Sequence, residues 1–303
     1  MTFDATALRQ AHYNASVVSV RRVHDELIVL RVRPDAGIPA YEAGQWISLG
    51  IGAWEPRVAN AGPEELPDAD RSHLVRRPFS ISSPLVTPDG KNLWRADHDD
   101  FYEFYFGLGR EAPRAGILPS RLFALEAGGR LWVDAHPRGA NTLRPVQPTD
   151  NVLFLATGTG EAPHNRMIWE LLRRGHRGRI ASVVTTRRRI DQGYRTAHER
   201  LVELCPNYRY AALATRDADE SGMRLQEFFR SGALERDAGF ALDPAQTRVF
   251  LCGSPDMIGA PRFEHGARSA PRPGGMIELL ETERGFRVEE SASHIKLHFE
   301  RSE

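Results

Sequence analysis

Val152-Leu153-Phe154-Leu155-Ala156-Thr157-Gly158-Thr159-Gly160-Glu161-Ala162-Pro163 decides the fold of this chain. An apolar run of strand length meets a turn holding two glycines, and Pro163 stands three residues past the second of them. Proline is tolerated in the first turn of a helix because its missing N–H has no helical partner there, so the stretch predicts strand, turn and helix. Such a turn leaves bare backbone N–H groups at the positive end of a helix, where a diphosphate is favoured. Gly-x-Gly alone also fits a plain tight connection, so the rest of the chain must carry the assignment.

Toward the C-terminus the pattern keeps alternating. A helix over about 162–174 is followed by a strand at 180–185 and a helix near 194–204; strands at 209–214 and 248–252 bracket a helical stretch starting near Arg224. Short apolar strands interleaved with amphipathic helices predict a parallel sheet covered on both faces. Toward the N-terminus the rhythm changes at Pro145-Val146-Gln147-Pro148-Thr149-Asp150, whose two prolines suit a linker. Before it, apolar residues come in short turn-bounded runs at 16–23, 27–32, 46–51, 79–82, 101–106 and 130–133. Those runs predict a closed antiparallel barrel, with 52–75 as an inserted surface loop. Two domains are expected, residues 1–146 and 147–303.

Composition removes several classes. The 303 residues are 41% hydrophobic and 26% charged, enough for two cores. Basic and acidic residues number 40 each, and neither half carries a strong excess, so the charge suggests neither nucleic acid nor an anionic membrane as partner. Lys91 and Lys296 are the only lysines, so nearly every cation is a guanidinium able to grip phosphate in a fork. Two cysteines, Cys205 and Cys252, support no disulfide framework, four-thiolate cluster or zinc site. No segment approaches the roughly 20 apolar residues of a bilayer span. A cytoplasmic, monomeric protein without a membrane anchor is expected.

Three segments in order, Arg77-Pro78-Phe79-Ser80, Gly158-Thr159-Gly160-Glu161-Ala162-Pro163 and Cys252-Gly253-Ser254-Pro255-Asp256-Met257, resemble the flavin clamp, pyridine-nucleotide loop and nicotinamide-side turn of the bacterial-type ferredoxin (flavodoxin)–NADP reductase family. The resemblance implies an FAD-binding β-barrel followed by a Rossmann-like α/β domain binding NADP(H), with a C-terminal tail returning to the flavin. It assigns Arg77 to the FAD pyrophosphate, Phe79 to the isoalloxazine in place of the usual tyrosine, and Ser80 to a hydrogen bond near flavin N5, with Pro78 between them. Ala43-Gly44-Gln45-Trp46 resembles a further family turn, and Gly116, Leu118 and Ser120 correspond to a segment holding the FAD phosphates, although Pro119 leaves that register open by one residue.

The same likeness gives Thr157, Gly158, Thr159 and Gly160 to the NADP(H) diphosphate. Arg187, Arg216 and Arg224 would hold the adenosine 2'-phosphate, with Arg188 or Arg189 able to replace Arg187. Cys252 would sit beside the nicotinamide C4, and Ser80 and Cys252 together would border the hydride path in a cleft between the domains. Glu161 departs from an aliphatic position, so its carboxylate is expected to point elsewhere or to bind ribose hydroxyls. In the tail, Ser291 takes the slot facing the flavin, or else His294 or Phe299 covers the ring; Glu289 or Glu290 is the candidate for proton handling. Hydride exchange between NADPH and FAD, with single electrons passed to or from ferredoxin or flavodoxin, is the implied function. Alternatives are a reductase component of an oxygenase system and a non-catalytic FAD- or nucleotide-binding regulator.

Overall fold

The computed structural model describes residues 4–64, 66, 68–95, 100–108, 117–217, 222–261, 263–264 and 267–287. They divide into two compact units: residues up to 83 together with 95–139, and residues 84–94 together with those from 140 onward.

The first unit opens with helix α1 (Ala5–His12), capped by the Asp4 carboxylate, which accepts from the N–H groups of Thr6 and Ala7. Strands β1 (Ala15–His24), β2 (Leu27–Pro34), β3 (Trp46–Gly52), β4 (Leu74–Ser80), β5 (Tyr102–Gly107) and β6 (Arg130–Val133) form one antiparallel sheet in the order β4-β3-β6-β1-β2-β5. The sheet curls until the residues after β4 reach β5, where the Ser82 N–H donates to the Glu103 carbonyl at 2.8 Å. Alternation fills the interior: Ile47, Leu49 and Ile51 of β3 are fully buried and stand opposite Phe79, Arg77 and Val75 of β4. Strand β4 begins five residues before the expected run. Its two arginines and Pro78 hide the strand signal, and proline is tolerated because β4 lies at the end of the sheet order.

The stretch 52–75 is more firmly held than an inserted loop needs to be. Glu55 receives Arg9 and the Tyr13 hydroxyl at 2.8 Å each. Farther on, Glu64 forms a two-oxygen pair with the buried Arg121 guanidinium, both contacts at 2.9 Å. Arg121 sits on the short helix α2 (Ile117–Leu122) and also donates to the carbonyls of Ile117 and Ala53 at 2.8 Å. Burial by itself raises the Glu64 pKa, but the Arg121 hydrogen bond and the Arg121 and Arg57 charges outweigh it and lower the net value. A depressed carboxylate adds stability above its unfolded pKa and loses it as pH falls through the folded one. Glu64→Gln is therefore expected to cost about 2 kcal/mol at pH 7. Melting temperatures of wild type and variant should converge on acidification; a gap independent of pH would refute this.

In the second unit, β7 (Asn151–Thr157), β8 (Ile180–Thr186), β9 (Tyr208–Ala214) and β10 (Thr247–Cys252) form a parallel sheet in the order β10-β7-β8-β9. Every residue of β8 is buried, as a strand covered on both faces requires. One face, carrying Leu153, Leu155, Ala181, Val183, Val249 and Leu251, packs with α5 (Leu225–Arg230), α6 (Ala233–Ala238), α7 (Pro255–Ile258) and α8 (Met276–Arg284). The opposite face meets α3 (Glu161–Arg173) and α4 (Arg195–Leu204), with Phe154 against His164 and Tyr210 stacked on His198. Residues 84–94 belong to this unit as well. Val86 bridges Leu93, and the Trp94 carbonyl accepts from the indole N–H of buried Trp169 at 2.9 Å.

The expected architecture, an antiparallel barrel followed by an α/β parallel sheet, is what the chain adopts. Among the described residues no helix is long and apolar enough to cross a membrane.

Candidate functional site

The Gly158–Gly160 turn lies at the carboxyl end of β7, where the strand order reverses between β10 on one side and β8 on the other. In open parallel sheets ligands bind at such a switch point. Gly158 has φ of 52° with no atom near its missing side chain, so glycine serves the backbone conformation there and leaves the space open. Gly160 is needed for a different reason. A Cβ on it would overlap the Cys252 carbonyl and come within 2.7 Å of the Gly253 nitrogen. Cys252 ends β10, is buried and is the parallel partner of Ala156. The Thr157 hydroxyl accepts from the Ser254 N–H at 2.6 Å. The nucleotide-type turn and the Cys252–Ser254 turn are thus seated on one another, and helix α3 starts at the next residue.

The ends of β8 and β9 are laced together beside it. The Arg216 N–H donates to the Arg187 carbonyl at 2.8 Å, and the Thr215 N–H to Thr186 at 3.0 Å. Asp217 accepts from the Arg189 N–H at 2.5 Å, and Asp191 from the Arg188 N–H at 2.9 Å. Arg187, Arg188, Arg189 and Arg216 are all exposed, so the two joined loops carry four arginines at the carboxyl ends of β8 and β9. Arg224 precedes α5, where its N–H donates to Glu227 at 2.8 Å.

Glu161 takes the first of its two expected courses. Its side chain is 1% exposed, and Oε1 lies 2.9 Å from Nε2 of His198 on α4. His198 Nε2 is also 3.1 Å from Asn165 Oδ1, and Nδ1 is 2.7 Å from the Tyr208 hydroxyl. The odd carboxylate is visible in the sequence. Its partners His198 and Tyr208, 37 and 47 residues downstream, carry no signal of their own.

On the first unit, Arg77 is half-buried on β4, Pro78 is exposed and Ser80 is buried at the end of the strand. Phe79 leans into the barrel core, its ring centroid 5.0 Å from that of Phe106 and 6.4 Å from that of Phe104. At 7% exposure it offers a flavin a narrow wall rather than an open stacking face. Leu118 is fully buried, and the Ser120 hydroxyl faces inward, donating to the Ile117 carbonyl at 3.1 Å and accepting from Arg57 at 3.3 Å. Gly116, Glu289, Glu290, Ser291, His294 and Phe299 lie outside the described residues. Among the described residues no group of three or more His, Cys, Asp or Glu side chains is arranged to hold a metal ion.

The donor set fits the two cofactors of the resemblance. Backbone N–H groups at a turn whose Gly160 leaves no room for a side chain, with arginines at the neighbouring strand ends, suit a phosphorylated dinucleotide; a half-buried guanidinium and a buried hydroxyl carried on one strand, β4, suit FAD. Residues 154–262 match the oxidoreductase NAD-binding domain family. The chain is 31% identical to ferredoxin–NADP reductase A of Sorangium cellulosum over 62% of its own length and 71% of that protein. It is 24% identical to the ferredoxin–NADP reductase of Pseudomonas aeruginosa over 90% and 97% of the two chains. The fold is shared with a ferredoxin NADP+ reductase from Neisseria gonorrhoeae solved with bound FAD and NADP, at a TM-score of 0.68 and 17% identity over 94% of this chain and 98% of the other. With these relatives, and with its nucleotide turn seated at the switch point of a parallel sheet that succeeds an antiparallel barrel along the sequence, the chain belongs to the ferredoxin–NADP reductase family and is an FAD-dependent, NAD(P)H-linked oxidoreductase.

Proposed function

We propose that the enzyme exchanges hydride between NADPH and FAD and passes single electrons to or from ferredoxin or flavodoxin. The observation that carries the nucleotide half is the Gly158–Gly160 turn, held open by glycine at one end and pressed on the Cys252–Ser254 turn at the other. Bound FAD would supply the redox chemistry, accepting two electrons with a proton from NADPH and releasing electrons one at a time. The protein's own residues bind and orient. The N–H groups of Thr159 and Gly160 and the amino end of α3 take the diphosphate; Arg187, Arg216 and Arg224 take the 2'-phosphate; Cys252 shapes the nicotinamide side. Arg77 holds the FAD pyrophosphate and Ser80 directs its hydroxyl toward the flavin, with Phe79 as a lateral wall. The names of the relatives support ferredoxin or flavodoxin as the acceptor. We assign the boundary between the FAD-binding and NADP(H)-binding parts to the region around residue 146.

Anaerobic addition of NADPH to the yellow protein, then of NADH in a parallel sample, tests this reading. Rapid bleaching by NADPH, followed by reoxidation with ferredoxin or flavodoxin, is expected. A colourless protein, or one inert to NADPH, would overturn the reading in favour of a regulator. Arg216→Ala is expected to raise the Michaelis constant for NADPH about tenfold and that for NADH by less than about twofold, since NADH lacks the phosphate that a guanidinium fork would grip. Equal changes for both nucleotides would remove the 2'-phosphate assignment.

A further inference from the structure

The turn that seats the nucleotide is held from two sides, by backbone on one and by side chains on the other. Toward β10 the hold is backbone packing on Cys252 and Gly253. Toward α4 it is a buried polar chain that begins at the first residue of α3. Glu161, His198, Asn165 and Tyr208 are each no more than 1% exposed. His198 Nε2 is hydrogen-bonded to Asn165 Oδ1 at 3.1 Å and lies 2.9 Å from Glu161 Oε1, a buried oxygen with no hydrogen-bond partner of its own; Nδ1 meets the Tyr208 hydroxyl at 2.7 Å. The imidazole is also stacked on Tyr210, with centroids 4.4 Å apart and planes at 12°.

A carboxylate sealed this deeply is costly unless charge and hydrogen bonds compensate it, and the helix amino terminus and the imidazole are the groups placed to do so. The network reaches the strand too: the Tyr208 phenol is held protonated by burial and by the nearby Glu161 charge, so its O–H remains a donor for Nδ1. A buried carboxylate oxygen whose near polar neighbour is an imidazole anchored by Asn165 and Tyr208 is held at that contact, because moving away leaves it in an apolar interior. Here the geometry fixed is that of residue 161, adjacent to Gly160.

We propose that Glu161 and His198 are positioning residues: their buried contact, braced by Asn165 and Tyr208, ties the start of α3 to α4 and β9 and so holds the Gly158–Gly160 turn in the shape that receives the NADPH diphosphate. The inference rests on the reading that this turn binds NADPH.

The test is steady-state kinetics of the FAD-loaded, full-length enzyme with NADPH and ferricyanide as acceptor. Glu161→Ala removes the tie, while Asn165 Oδ1 still takes the Nε2 proton. Its Michaelis constant for NADPH is expected to rise about fivefold, the effect of losing one buried contact, with kcat within about twofold and FAD content unchanged. Glu161→Gln keeps an oxygen for Nε2 and is expected to restore a Michaelis constant close to that of wild type. A purely structural role predicts a lower melting temperature with no change in the constant, and a carboxylate that merely repels phosphate predicts tighter NADPH binding in Glu161→Ala. Either result overturns the proposal, as does a glutamine variant as impaired as the alanine one. Should Glu161→Ala not fold, His198→Gln decides by the same measurement: a raised constant supports the tie, an unchanged one refutes it. Wild-type enzyme that NADPH cannot reduce would sink the underlying function, a result seen before any variant is made.

Discussion

Gly160→Ala is expected to raise the Michaelis constant for NADPH about 100-fold while FAD remains bound. The added methyl would meet the Cys252 carbonyl and the Gly253 nitrogen, and both are backbone. A flexible side chain could swing aside, but these atoms belong to the end of β10 and to a turn locked by the Ser254-to-Thr157 hydrogen bond at 2.6 Å. Overpacking of this kind costs about 1–3 kcal/mol, and ~2.7 kcal/mol is a factor of about 100 in binding. The strain is relieved only if Gly158–Gly160 lifts away from β10, which displaces the N–H groups that would grip the diphosphate. Steady-state kinetics with varied NADPH and ferricyanide as acceptor measures the effect, and the flavin absorbance of the purified variant before NADPH is added reports FAD retention. NADPH affinity equal to wild type in a folded Gly160→Ala enzyme would show that the diphosphate sits elsewhere.

Arg77→Ala is expected to weaken FAD retention by about 10- to 100-fold. The side chain is half-buried on β4, where solvent screens its charge less than at the open surface. Charge-assisted hydrogen bonds of a guanidinium to phosphate contribute about 1.5–3 kcal/mol. Arg77→Lys keeps the charge but not the planar fork, so its loss should fall between wild type and alanine. The ratio of absorbance at the flavin band to that at the protein band after gel filtration, with and without added FAD, reads the effect directly. The barrel should survive, because the interior opposite β4 is filled by Ile47, Leu49 and Ile51. An alanine variant that keeps its full complement of FAD would move the pyrophosphate to other residues.

Local periodicity is the part of this structure that can be read from the residues alone. The bounds of β6 are those expected, and α3 starts one residue early, because a proline in the first helical turn marks a helix start without any tertiary help. Helix α1 is hard to see in the sequence, since it buries none of its residues and its signal is a single capping aspartate. Helix α8 has a clear apolar face, Met276, Ile277, Leu279 and Leu280. The site divides the same way. Its glycines and arginines stand next to strand ends in the sequence, whereas the partners of Glu161 and Arg121 come from distant elements and become visible only when α4 and the 52–75 stretch are in place.

The hairpin at 84–94 bears on anyone wishing to split the gene. A cut at residue 146 releases a C-terminal half that lacks residues 84–94, encoded far upstream. The indole N–H of Trp169, a buried ring, would lose the carbonyl of Trp94. A soluble C-terminal fragment therefore calls for the hairpin to be grafted onto its new amino terminus, or for Trp169 to be replaced by a smaller side chain with no donor.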